Sequence, residues 1–328
     1  MKAGFVVLAA LLIGLSGTPV HAQTAEIGQD PLMVSISPDF PRPYEAVTIS
    51  PQSNLIDLSA STVSVSVNGV LIEKGSGTAP VQIQAGAAGV RTVVTVTAVN
   101  NGQTYTKEIT IRPADVALIV EPVSVNHPFY RGASLVSSEG LLRLVALPDL
   151  RTTSGAPIPA SSLVYTWRNG SQVLQDNSGI GKSVLTATAP VRYRDTTIRV
   201  TVATQDSSIV AEATAFISPT VPVIRIYQND PLLGPLFNYA LPAKITMTSE
   251  EQTFRAVPYY FSGIPLMNWT VNGNQSQSGK DITVRSSGSG TGTALVGFNA
   301  KQTASGVIAN SSLNINFGEK KSLGIFGL

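Results

Sequence analysis

The sequence predicts an all-β chain of three tandem β-sandwich domains behind an N-terminal signal peptide. Three observations carry this expectation. An alternating apolar strand running into Asn-Gly occurs three times, as Val63-Ser64-Val65-Ser66-Val67-Asn68-Gly69, Leu163 to Gly170 and Leu266 to Gly273, at intervals of about 100 residues. The carboxyl half of each copy repeats as a pair of alternating strands. Outside the first residues, no window of a dozen residues carries a helical period, the nearest exception being a single turn around Leu232 to Leu241.

The N-terminus reads as a targeting segment. Lys2 supplies the positive charge, Phe5 to Leu15 the short apolar run, and Val20-His21-Ala22 the small residues at cleavage positions, so residues 1–22 form the signal and the mature chain starts at Gln23. Gly14, Ser16, Gly17 and Pro19 break the run short of the roughly 20 apolar residues a spanning helix needs. An uncleaved anchor is the alternative. No later segment reaches spanning length, so the mature chain is expected to be exported and periplasmic, extracytoplasmic or at the cell surface, with no membrane span.

The first domain, residues 23–113, is marked by Asn68-Gly69, a pair that tolerates the positive φ of a tight hairpin turn. Thr92 to Val99 and Tyr105 to Ile111 then flank Asn100-Asn101-Gly102, and Val94, Val96 and Ala98 share one face while Thr95 and Thr97 share the other. The second domain, 114–219, repeats this with Asn169-Gly170 and with Thr197 to Ala203 and Ala211 to Ile217 about Gln205-Asp206-Ser207. The third, 220–318, has Asn272-Gly273 and the pair Ala294 to Ala300 and Val307 to Phe317. Residues 319–328 form a tail. Boundaries fall at Ile111-Arg112-Pro113 and Ile217-Ser218-Pro219, because proline cannot donate to a ladder. The amino halves of the last two units also align: Pro128-Phe129-Tyr130 matches Leu236-Phe237-Asn238.

About seven short strands per ~100 residues, with a tryptophan in the middle strand, describe an immunoglobulin-like sandwich. Trp167 and Trp269 are its expected structural core. The chain has no cysteine, so an exported domain must be stabilised by core burial without disulfides. The mature chain, residues 23–328, holds two to three domains at ~100 to 150 residues each, and the repeats make it three. The net charge of +2 offers no field to recruit nucleic acid or anionic membrane, whatever the pI of 8.8 suggests.

Val67-Asn68-Gly69, Pro128-Phe129-Tyr130-Arg131-Gly132, Tyr165-Thr166-Trp167 and Asp230-Pro231-Leu232-Leu233-Gly234, in that order, resemble uncharacterised exported proteins of candidate-phyla bacteria with tandem immunoglobulin-like or PKD-like domains. The resemblance spans nearly the whole mature chain. It implies an envelope role in the company of type IV pilus functions and transfers no catalytic residue. His127 stands where the pattern has proline.

The chemistry-bearing residues are sparse. After the signal the only histidine is His127, read as a solvated loop residue; one histidine without cysteines makes no zinc site. Gly179-Ile180-Gly181-Lys182-Ser183 has the end of a phosphate-binding loop, but Asp176 replaces its first glycine and Val184 to Thr188 alternates as a strand, so a hairpin loop is expected. Asp115, Glu121, Asp230, Glu250 and Glu251 are scattered oxygen donors for calcium, read as surface charges. No cofactor, metal or catalytic residue is expected, and no enzyme. Asn169-Gly170-Ser171, Asn268-Trp269-Thr270 and Asn310-Ser311-Ser312 are chance glycosylation patterns.

Two features could carry interaction. The run Asn229 to Tyr239, with Leu232, Leu233, Leu236 and Phe237, is too apolar for a linker, and reads as a docked loop or a contact patch. The tail, Lys320 to Leu328, ends in apolar residues, with Phe326 as its candidate contact. The expected function is a non-catalytic structural or protein-interaction role in the bacterial cell envelope, with envelope or pilus proteins as partners. The alternative is a carbohydrate-binding or adhesive module whose surface glycan stacks on Tyr259, Tyr260 and Phe261.

Overall fold

A computed structural model describes residues 30–77, 79–286 and 290–318. The signal segment and the tail with Phe326 lie outside the described residues. The described chain is all-β, with 24 strands and two 3-10 turns, Ala160–Ser162 and Gln175–Asn177. Each repeat folds as two facing sheets. In the first, Met33–Ser37, Ala46–Gln52 and Val81–Gln84 form one sheet in that order, and Val70–Ser76, Thr62–Val67, Thr92–Asn100 and Gln103–Ile111 form the other. The same plan recurs with Asp115–Pro122, Leu141–Asp149 and Val184–Thr188 against the sheet centred on Val164–Asn169 and Thr196–Ala203. In the third repeat Val223–Asp230, Glu251–Tyr259 and Asp281–Arg285 face the sheet centred on Leu266–Val271 and Gly292–Lys301.

Period-2 alternation fills the space between sheets. Val94, Val96 and Ala98 are buried while their neighbours Thr95 and Thr97 are half-exposed. Three separate apolar clusters result, within residues 32–111, 114–217 and 224–315. Cross-strand register puts Val65 opposite Val96, Trp167 opposite Val200 and Trp269 opposite Phe298, so both tryptophans occupy the position that valine takes in the first domain. Both are fully buried. Trp167 Nε1 donates to Lys182 O at 2.8 Å, whereas Trp269 Nε1 has no partner among the described residues.

The repeated Asn-Gly pairs do not all make the same turn. Asn68-Gly69 and Asn272-Gly273 both have positive φ and close two-residue hairpins, with Val67 paired to Val70 and Val271 to Asn274. In the second domain Asn169 is still a strand residue, paired to Gln172, and Gly170-Ser171 make the turn. The first and third turns gain a tie that the motif did not announce: the Asn68 and Asn272 side chains accept from Val93 N and Leu295 N, both at 2.9 Å.

Two further expectations are corrected. Residues 232–241 contain no helical turn; Gly234–Pro235 pairs with Asn229-Asp230 as a hairpin, because Gly234 takes φ +73 and turns the chain back. Gly179 to Ser183 is not a hairpin loop either. Gly179–Ile180 pairs with Val164-Tyr165, and the next strand, Val184–Thr188, crosses to the opposite sheet to place Leu185 in the core. Among the described residues no helix is long and apolar enough to cross a membrane.

Candidate interaction site at the junction of the second and third domains

Alternation along Val223–Asp230 sends Ile224 and Ile226 into the third core and leaves Val223, Arg225 and Tyr227 on the outer face. The partner strand Glu251–Tyr259 buries Phe254 and Ala256 and presents Arg255, Val257 and Tyr259 outward. Antiparallel register sets Val223 against Tyr259 and Tyr227 against Arg255. An outer sheet face is ordinarily wet, yet Tyr227 and Tyr259 are 1% and 2% exposed. Two segments cover them. One is the loop before Leu141–Asp149, which brings His127 and Phe129 from the second domain; the other is the return arm of the hairpin, which brings Phe237.

His127 is therefore not a solvated loop residue. Its ring lies 5.3 Å from Phe129, 5.7 Å from Tyr259, 6.3 Å from Tyr227 and 6.5 Å from Phe237, centroid to centroid. Phe129 N donates to Nδ1 at 3.1 Å, which fixes the neutral tautomer with its proton on Nε2, and Nε2 donates to Phe237 O at 3.1 Å. Both ring nitrogens are thus occupied. Below the ring the Tyr227 and Tyr259 hydroxyls are hydrogen-bonded at 3.1 Å. Burial pushes the Tyr259 phenol far above the ordinary tyrosine value, and the bond to Tyr227 adds to it. A cleft of about 360 Å³ opens among these groups, with Arg225 on its wall.

The covering loop is sewn down by main-chain bonds. Tyr260 N donates to Val125 O at 2.8 Å, Val125 N to Phe261 O at 3.2 Å and Thr220 N to Val136 O at 2.7 Å. Leu141 N donates a further bond to the Ser262 hydroxyl oxygen at 3.1 Å. At the first junction the ties are fewer: Ala114 N to Pro41 O at 3.3 Å, an Arg42–Asp115 pair at 3.2 Å and Arg112 to Ser208 at 3.1 Å.

The hairpin above the cleft has two unlike ends. At its tip Leu232 and Leu233 are 94% and 78% exposed. Asp230 Oδ1 accepts from Leu233 N at 2.9 Å and from Leu232 N at 2.8 Å, and these bonds hold its carboxyl below the usual carboxylate range. At its base Leu236 and Phe237 are half-buried, with Phe237 edge-on to Tyr227 at 5.3 Å. The run is thus docked at Leu236 and Phe237 and exposed at Leu232 and Leu233.

Tyr259 and Phe261 are buried, which removes them as an exposed stacking cluster; only Tyr260 of that run is half-exposed. Tyr260 takes φ +63, which breaks the alternation at the strand end and turns Phe261 into the third core. The scattered carboxylates are spent locally: Asp115 on Arg42, Glu121 on Arg143 at 2.8 Å and Glu251 on Arg285. Among the described residues no three His, Asp or Glu side chains gather as a metal set. Sequence reasoning missed Arg225 and Tyr227, whose only signal was strand alternation.

The fold defines the class as a tandem array of immunoglobulin-like β-sandwiches. Over residues 29–112 the chain matches the family described as Cadherin-like beta sandwich domain. No match exists among curated proteins. Among solved structures, the three N-terminal domains of the highly immunogenic outer capsid protein of bacteriophage RB49 are 13% identical, with 88% of this chain and 99% of that one covered and a TM-score of 0.27. The central fibronectin-III array of RIM-binding protein is 14% identical over 88% and 96%, with a TM-score of 0.27. Sidekick-1 immunoglobulin domains 1–5 are 11% identical over 88% and 60%, with a TM-score of 0.31.

Proposed function

We propose that this protein is a non-catalytic interaction protein of the bacterial cell envelope, exported by residues 1–22. Its sandwich domains, divided at Pro113 and Pro219, hold the Leu232-Leu233 tip out to a protein partner of the envelope or pilus machinery. The observation that carries the reading is that tip: two leucines almost wholly exposed on a hairpin whose conformation Asp230 fixes. Exposed apolar side chains held in a set geometry are what a partner's pocket recognises. The glycan alternative loses support because two of its three aromatic residues are buried.

Crosslinking mass spectrometry in the native cells tests this, with Leu232→Ser and Leu233→Ser combined as the comparison. The native protein should link reproducibly to one envelope or pilus protein and the double variant should lose most of those links at unchanged thermal midpoint. Unchanged links in the variant, or retention on purified wall glycan in place of any protein link, would overturn the reading.

A further inference from the structure

The cleft beneath the hairpin has an unusual balance of polar groups. Tyr227 and Tyr259 are nearly inaccessible, and two hydroxyls bonded only to each other leave one O–H without an acceptor. Neither has another partner among the described residues. Arg225, exposed on the same wall, makes no ion pair among the described residues, whereas Arg255 and Arg285 of the same sheet do. His127, by contrast, has nothing left to offer, since Phe129 N and Phe237 O take both ring nitrogens. The remaining walls mix carbon with polar groups: Phe129, Phe237, Val223 and Ala240 beside Asn238 and Tyr260.

A spare hydroxyl proton and an unpaired guanidinium call for an acceptor that carries negative charge, and a carboxylate is the group whose two oxygens fit the guanidinium fork. Phe129, Phe237 and Val223 give a carbon body a place behind it. At about 360 Å³ the cleft holds one or two amino-acid side chains.

We propose that this cleft binds a carboxylate borne on an apolar segment of the partner protein, with Arg225 and the tyrosine pair holding the carboxylate. The proposal rests on the reading of this junction as an interaction surface and extends it from the tip of the hairpin to its base. Binding there would also place the partner against the loop from the second domain and the hairpin of the third at once.

Amide NMR titration of the whole purified protein with N-acetyl-phenylalanine and with N-acetyl-phenylalaninamide tests it, because the two probes differ only in the carboxylate. The acid should shift the signals of residues 127–129 and 225–227 with millimolar affinity, about tenfold tighter than the amide. Arg225→Gln should abolish that preference, and Tyr227→Phe should reduce it a few-fold with the fold intact. Equal binding of acid and amide, or an undiminished preference in Arg225→Gln, would overturn the proposal. Glucuronate binding tighter than the acid probe would overturn it in favour of an acidic sugar. If the titration fails while Leu232→Ser/Leu233→Ser still removes the crosslinks, the carboxylate site alone falls; acid-selective binding with unchanged crosslinks sinks only the role of the hairpin tip.

Discussion

The two tryptophans occupy one place in the fold but differ in a single hydrogen bond. Trp167→Phe removes indole bulk and orphans Lys182 O, whereas at Trp269 the indole N–H is already without a partner among the described residues. A partly buried hydrogen bond is worth about 0.5 to 1.5 kcal/mol, so Trp167→Phe should destabilise its domain by about that much more than Trp269→Phe does. Urea midpoints of the two variants check this, and equal losses would contradict it. Trp167→Ala, at about 3 to 5 kcal/mol, should unfold the second domain. Tyr259 and Tyr165 set the alkaline limit. Burial raises both phenols, so the folded state keeps these protons to higher pH than the unfolded chain, where tyrosine titrates near ~10. Their contribution is complete below about pH 10 and declines as pH rises beyond it. Denaturant midpoints should fall from pH ~9 to ~11, and less steeply in Tyr259→Phe.

The hairpins show how far a motif reaches at the level of the element. Asn-Gly marked three strand ends, but the turn register slipped by one residue in the second domain, since Asn169 pairs with Gln172 while the flanking strand keeps Tyr165 and Trp167 inward. Glycine also has a second use that spacing does not reveal. Gly89 and Gly102 share a φ near +80, but a Cβ on Gly89 would lie 2.5 Å from Arg151 O, while one on Gly102 meets nothing within 4 Å. Gly102→Ala should therefore cost only the backbone strain, about 1 kcal/mol. Gly89→Ala should cost more and also push the first two domains apart. Small-angle scattering would show a larger radius of gyration for the Gly89 variant alone; identical curves would refute the contact.

Across the whole molecule the two junctions are built unequally. Main-chain bonds from Val125 and Val136 join the second domain to the third, while side-chain contacts dominate at the first junction. The first domain also lacks an aromatic in its fully buried cluster, where the others bury tryptophan, tyrosine or phenylalanine worth 150–250 Å² apiece. Calorimetry should resolve two transitions: the first domain melting alone at lower temperature, then the second and third together. Val125→Pro, which deletes the donor to Phe261 O, should split the upper transition into two. A single transition in the native protein would show the first junction to be as strong as the second.

The strand pattern was legible in the sequence because it depends on neighbours two residues apart: alternating Val94, Val96 and Ala98 need only one buried side to become a strand, and Asn101-Gly102 needs only its own φ values. The candidate site was legible in half. Leu232 and Leu233 announced themselves as apolar residues in a turn-rich run, but nothing local shows that Tyr259 and Phe261 are buried while Tyr260 is not. His127 entered as a lone loop histidine, and three of the four aromatic rings around it come from residues 100 or more positions away. Burial on an outer sheet face is decided by what the next domain lays over it. That contact exists only once the chain has folded, so tertiary structure alone assembled the cleft at the second junction.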